Sequence, residues 1–364
     1  MRLLRNCLGV TALLLGACAT SQEAAGRIDS VGESPAGSTR VDLTGAGATF
    51  PYPIYARWFN EYAQRTNVRI NYLSIGSGGG IRQVMDGTVD FGATDAPMTD
   101  EELARSSTPI MHIPTVMGAV AVTYNLPGLA RHPLNLSGDV LADIFLGRIT
   151  TWNDGRIRAL NPDAPLPADT VQVVHRSDES GTSYIFSEYL AAVSPRWLAG
   201  PGRGRDVRWP VGIGGRGNEG VAGQVKQTAG SIGYLEVVYA RQNRLPVARV
   251  RNRSGRFIAP MAFEIASAAA GVMSLAGPRS DLRWSLVNAP GDQSYPIASF
   301  TWMLISPQRI GTEKSRQLAD FLRWALTDGG DVAASLGYVA LPTVTATRVL
   351  ELLNTLGATP ANRP

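Results

Sequence analysis

Residues 41–72, VDLTGAGATFPYPIYARWFNEYAQRTNVRINY, hold the pattern that decides the fold. Val41-Asp42-Leu43-Thr44-Gly45 is strand-like, and from Pro51 to Thr66 the residues Ile54, Trp58 and Tyr62 recur every four positions, on one helix face. Val68, Ile70 and Tyr72 then alternate as a second strand. Strand, small-residue turn, helix and strand make the unit of an α/β fold with a largely parallel sheet. The unit continues along the chain. Ile81 to Met85 begins a helix after a glycine run, and Val89-Asp90-Phe91-Gly92 and Val120 to Tyr124 read as strands. Ser137 to Leu146 reads as a capped helix, Val171 to His175 as a strand and Ser183 to Leu190 as a helix. Ser231 to Leu235 and Phe300 to Ile305 are strands, and Glu313 to Leu326 is a helix with Leu318, Phe321, Leu322 and Ala325 inward. No internal repeat emerges.

The N-terminus addresses the rest of the chain. Arg2 and Arg5 precede the short apolar stretch Leu8 to Leu15, too brief to span a bilayer, so residues 1–17 read as a signal peptide. Leu15-Gly16-Ala17-Cys18 has the form of a lipobox, which makes Cys18 the lipidated first residue of the mature protein and removes Cys7. Each buried lipid methylene contributes about 0.8 kcal/mol, so several chains anchor stably. Residues 18–40, rich in Ala, Ser, Gly and Glu, form a flexible tether. The expected location is the periplasm or cell envelope, on a membrane.

The formal charge of +4 falls to about +2 without Arg2 and Arg5, with both signs interspersed, which excludes a nucleic-acid footprint. The segment from Val41 to about Leu353 is long enough for two domains. Three histidines (His112, His132, His175), no HExxH or GxSxG pattern and no unlipidated cysteine speak against an enzyme such as a phosphatase, and no cofactor or metal is expected.

Three strand-to-helix junctions share one chemistry. Ala46-Gly47-Ala48-Thr49-Phe50, Gly76-Ser77-Gly78-Gly79-Gly80 and Ser180-Gly181-Thr182-Ser183 bring hydroxyls and exposed amides to a helix start. A helix N-terminus carries roughly half a positive charge and favours anions without lysine. Each junction alone also fits ordinary capping and turn formation. No GK[ST] follows the glycine run, so it is not an ATP-type loop.

Together with Val89-Asp90-Phe91-Gly92-Ala93-Thr94-Asp95-Ala96-Pro97 and Arg176-Ser177-Asp178-Glu179-Ser180-Gly181-Thr182-Ser183, these segments resemble the phosphate-binding proteins of bacterial high-affinity phosphate ABC transporters. The resemblance continues through Asp143 to Ile149 with Trp152, Gly212 to Asn218, and Ser231 to Glu236, in one order over nearly the whole mature domain. It implies a two-lobed periplasmic-binding-protein fold of type II, with two hinge crossovers and the ligand in the interlobe cleft. Lobe one would hold residues 41–116 and 297–364, and lobe two residues 117–296. The implied partners are inorganic phosphate and separate permease and ATPase subunits, with the membrane held through Cys18.

Carried over by position, the phosphate ligands are Thr49, Phe50 through its amide, Ser77, Asp95, Arg176, Ser180, Gly181 through its amide, and Thr182. Arg176 offers a planar fork to two oxygens, and Asp178 restrains it. Asp95 discriminates, because a carboxylate beside an anion is tolerated only when that anion has a proton to donate; phosphate does and sulfate near neutral pH does not. A binder of sulfate or molybdate would lack this acceptor. Glu179 departs from the small residue more usual in relatives, and both it and His175 are expected to point away from the ligand.

Overall fold

The structure is a computed structural model that describes residues 41–129, 133–276 and 281–356. The expected signal peptide, Cys18, the tether and His132 lie outside the described residues. Among the described residues no helix is long and apolar enough to cross a membrane.

The strands are β1 (Val41–Gly47), β2 (Val68–Ser74), β3 (Phe91–Thr94), β4 (Met111–Asn125), β5 (Asn135–Leu136), β6 (Gln172–Arg176), β7 (Ile213–Gly215), β8 (Ser231–Glu236), β9 (Arg249–Arg251), β10 (Phe257–Ile258) and β11 (Ala298–Ile305). Eight of them form one sheet in the order β2-β1-β3-β11-β4-β8-β6-β7, and β10-β9-β5 form a small second one. The wings are parallel, as β1 with β2 and β3, and β6 with β7 and β8. The centre is antiparallel, because β11 pairs with β3 and β4, and β4 with β8. The sheet is therefore mixed rather than largely parallel: the chain passes from one wing to the other along β4 and returns along β11 in the opposite direction.

The sequence of β4, MHIPTVMGAVAVTYN, is an almost unbroken apolar run, and all but its end residues are buried. Runs of this kind belong to strands covered on both faces. Pro114 cannot donate to the ladder, and the register slips there, between Thr301 and Trp302 of the partner strand. Residues 111–119 pair with β11 and residues 120–125 with β8, so one strand serves both halves.

Helix Tyr52–Arg65 buries Ile54, Tyr55, Trp58, Phe59 and Tyr62, the periodicity expected plus two rings, and Trp58 donates its indole N–H to the Gly329 carbonyl at 2.8 Å. The strand expected at 89–92 lies two residues later, at Phe91–Thr94, with the Asp90 side chain accepting from Thr44 N–H at 2.8 Å. The glycine run is not a loop before the helix. It is the first turn of helix Ser77–Asp86. A Cβ on Gly80 would lie 2.6 Å from Gly47 Cα and 2.7 Å from the Ala93 carbonyl oxygen, so glycine is what lets this helix rest on the backbones of β1 and β3.

Candidate functional site

The three small-residue junctions converge. Helices Tyr52–Arg65, Ser77–Asp86 and Gly181–Val193 begin at them, with Pro51, Gly76 and Ser180 as their N-caps. A fourth helix, Gly217–Gln227, starts in the same place. Gly181 N–H donates to Ser77 Oγ at 3.1 Å, and Asn218 Nδ2 donates to Thr49 Oγ1 at 2.7 Å and to Thr182 Oγ1 at 3.3 Å. Thr49, Ser77, Asp95, Arg176, Ser180 and Thr182 are all at least 97% buried.

Arg176, at the end of β6, is held by its fork. Nε donates to Asp178 Oδ1 at 2.8 Å and Nη2 to Asp178 Oδ2 at 2.5 Å, while Nη1 donates to Thr182 Oγ1 at 3.1 Å. Burial alone would push the guanidinium down, and the bonds to Asp178 more than offset it, leaving it above its ordinary value. Asp178 is in turn held below its ordinary range: burial opposes ionisation, but the Arg176 bonds and the N–H of Gly217, 3.0 Å away, prevail. The buried cation thus arrives already paired. Its fork is pre-set in direction, and further attraction for an anion falls to amides, hydroxyls and helix dipoles.

The loop at residues 48–50 is turned by three tyrosines. Tyr72 donates to the Ala48 carbonyl at 2.8 Å, Tyr239 to that of Thr49 at 2.7 Å and Tyr338 to that of Phe50 at 2.6 Å. In a trans peptide the N–H points opposite to the C=O, so tying the Thr49 carbonyl to Tyr239 directs the Phe50 N–H the other way. Burial raises all three phenols, which keeps them protonated donors.

Asp95 follows β3. Its Oδ1 accepts from Thr301 Oγ1 at 2.7 Å, its N–H donates to Ser77 Oγ at 3.2 Å, and a Cβ on Gly181 would lie 2.8 Å from its Oδ2. Burial pushes its pKa up to about 7, against the Thr301 bond and the charge of Arg176, which pull it down. Near neutrality this carboxyl can accept a proton or release one.

Ser180 Oγ accepts from Ser183 N–H at 3.0 Å, so this hydroxyl also caps its own helix. Glu179 is directed outward, where Oε2 meets Arg82 Nη1 at 2.5 Å, and a Cβ on Gly78 would collide with it. His175 stacks on Trp209 with ring centroids 5.3 Å apart and hydrogen-bonds through Nδ1 with the Arg176 carbonyl at 3.0 Å. Neither turns toward Arg176 and Asp95.

Reading of the residues missed Asn218, Thr301 and the tyrosines. Asn218 stood within a recognised segment but follows Gly215-Arg216-Gly217, with no Ser, Thr or Asp cap to advertise a helix start. Tyr72, Tyr239 and Tyr338 reach one loop from three distant points of the chain, a meeting no local pattern encodes.

Helix N-termini from both sheet wings, buried hydroxyls and a paired arginine converge in an arrangement suited to holding a small anionic solute. Residues 32–329 match the family model described as the PBP superfamily domain. The phosphate-binding protein PstS of Pasteurella multocida is 44% identical over 302 residues, covering 82% of this chain and 86% of that protein. Its counterpart in Haemophilus influenzae is 42% identical over 308 residues, covering 82% and 89%. The chain belongs to the phosphate-binding proteins of the PBP superfamily. Among solved structures, the high-affinity periplasmic phosphate-binding protein PfluDING bound with phosphate superposes with a TM-score of 0.65 at 22% identity, covering 85% of this chain and 93% of that one. An ABC-type phosphate transport receptor from Vibrio cholerae gives 0.54 at 17% identity, covering 82% and 100%. Both support the two-lobed fold.

Proposed function

We propose that this chain is an extracytoplasmic solute-binding lipoprotein that captures inorganic phosphate and delivers it to the permease and ATPase subunits of an ABC importer, binding its ligand without turning it over. The observation that carries this reading is Asp95: a buried carboxyl set beside Ser77, Gly181 and Arg176 in a site otherwise made of donors. With Asp95 ionised, such a site repels a fully deprotonated oxyanion and accepts one that shares a proton. Leaving the acceptor unmatched costs about 1–3 kcal/mol, and more for charged partners.

The ligands would be Thr49, the Phe50 amide, Ser77, Asp95, Arg176, Ser180, the Gly181 amide and Thr182, with Asp178 orienting Arg176. Lobe one would comprise residues 41–116 and 297–364, and lobe two residues 117–296. The exchange of partners along β4, from β11 to β8 after Ala119, and the start of β11 at Ala298 support crossovers at those points. Closure would bring Gly181 and Thr182 of one lobe onto Ser77 and Thr49 of the other, and ligand contacts made only in the closed form would drive it. Cys18, acylated, would hold the protein at a membrane while residues 18–40 let it swing.

The test is calorimetry of the ligand-stripped protein near neutral pH. One phosphate bound per chain and no heat with sulfate is the expected result. A folded chain that binds sulfate as well as phosphate, or binds neither, contradicts the reading.

A further inference from the structure

We propose that Asn218 is a positioning residue of the anion site, which fixes the Thr49 and Thr182 hydroxyls as donors and leaves Asp95 as the carboxyl to which a ligand proton goes. The inference rests on the phosphate reading above and deepens it.

The orientation of the Asn218 amide is decided by a partner that cannot reverse. Its Oδ1 accepts from the Glu236 backbone N–H at 2.9 Å, which can only donate, so Nδ2 faces the two threonines. Thr49 Oγ1 receives both Nδ2 at 2.7 Å and the Asn218 backbone N–H at 3.2 Å. Thr182 Oγ1 receives Nδ2 at 3.3 Å and Arg176 Nη1 at 3.1 Å. A hydroxyl has two acceptor positions and one hydrogen. With both acceptor positions taken by N–H groups, each threonine presents its hydrogen to whatever lies in the cleft. Ser77 Oγ follows the same rule, accepting from Asp95 N–H and Gly181 N–H.

Without Asn218, either threonine hydroxyl could turn and accept from a protonated ligand oxygen, competing with Asp95. With it, that choice is removed. Asn218 is fully buried, and it joins Thr49, from the first part of the chain, to Thr182, from the middle part. Its loss therefore also loosens closure.

The full chain would be compared with Asn218→Ala and Asn218→Asp, using phosphate titration and stopped-flow release. Asn218→Asp keeps the shape and the acceptor for Glu236 N–H but replaces the donor with a carboxylate, toward which both threonines turn their hydrogens. Both variants are expected to bind phosphate about tenfold or more weakly, mainly through faster release. The deficit of Asn218→Asp relative to the unaltered chain should shrink as the pH falls from about 8 to about 5, when the new carboxyl regains a hydrogen to donate. Arg176, Asp178, Glu236 and Tyr239 lie around the position, and Asp95, Glu219 and Arg241 act on them through charge; all are present in both chains, so the ratio reads the new carboxyl together with its effect on these neighbours. Should Asn218→Ala fail to fold, Asn218→Asp decides. Binding within about twofold of the unaltered chain, or a deficit that does not change with pH, overturns the inference alone. Absence of phosphate binding in the unaltered chain overturns the phosphate reading and this inference with it.

Discussion

The floor and the rim of the cleft join the same two parts of the chain by different physics. At the floor, Thr49 meets Asn218 and Ser77 meets Gly181 through uncharged donors and acceptors almost wholly removed from water. At the rim, ion pairs do the joining: Arg82 with Glu179, Arg205 with Glu102, and Arg283 with Asp100. The Arg82 and Glu179 side chains keep 60% and 43% of their exposure, so water and salt can replace either partner. A floor group that loses its partner has no such substitute. On the proposed reading the floor would decide which ion is held, and an exposed rim pair such as Arg82 with Glu179 would adjust how readily the two parts of the chain stay together.

The largest expected effect is at the floor. Arg176→Ala leaves the partly buried Asp178 carboxylate with only the Gly217 N–H to hold it, and breaking a buried pair of this kind costs up to about 3–5 kcal/mol. Denaturant unfolding should show a loss of that size, and phosphate titration should give no heat. A stable variant that still binds would dissolve the distinction between floor and rim.

The next effect is a pH slope. The Asp95 carboxyl is raised from 3.8 to about 7 by burial, so between those values the folded, ligand-free chain holds a proton that the unfolded chain releases. Its contribution is fully present below pH 3.8 and is lost as the pH rises through 7, with a slope of up to about 1.4 kcal/mol per pH unit. His112, pushed down to about 3 by burial and by Arg283, acts in the opposite sense: its contribution is lost as the pH falls from 6.5. The difference between the unaltered chain and Asp95→Asn isolates the first slope. A flat difference from pH 4 to 7 would mean that Asp95 titrates as an ordinary carboxyl.

The smallest effect belongs to the rim. Glu179→Ala should weaken phosphate binding by no more than about 0.5 kcal/mol and reduce its salt dependence, since exposed pairs contribute little. A tenfold loss at moderate salt would give the rim the energetic weight assigned to the floor.

What could be read in the sequence followed the range of the interactions. Helix Tyr52–Arg65 and β2 were legible because their periodicity is local, and so were the hydroxyl-rich junctions. The antiparallel centre was not legible, because it depends on pairings such as Val116 with Thr301, and an apolar run does not state its direction. The glycine run misled by composition. Gly80 looks like a loop residue until β1 and β3 are placed beneath it. Arg176 and Asp178 were legible because they stand two positions apart, whereas Asn218 acts on Thr49 across 169 positions.

The most direct test of the account is the ratio of phosphate to sulfate affinity, measured by calorimetry near neutral pH for the unaltered chain and for Asp95→Asn. A high ratio that collapses in the variant, with sulfate binding gained, is the predicted result. Equal ratios in two folded proteins would contradict the claim that a buried carboxyl selects the ion by its proton.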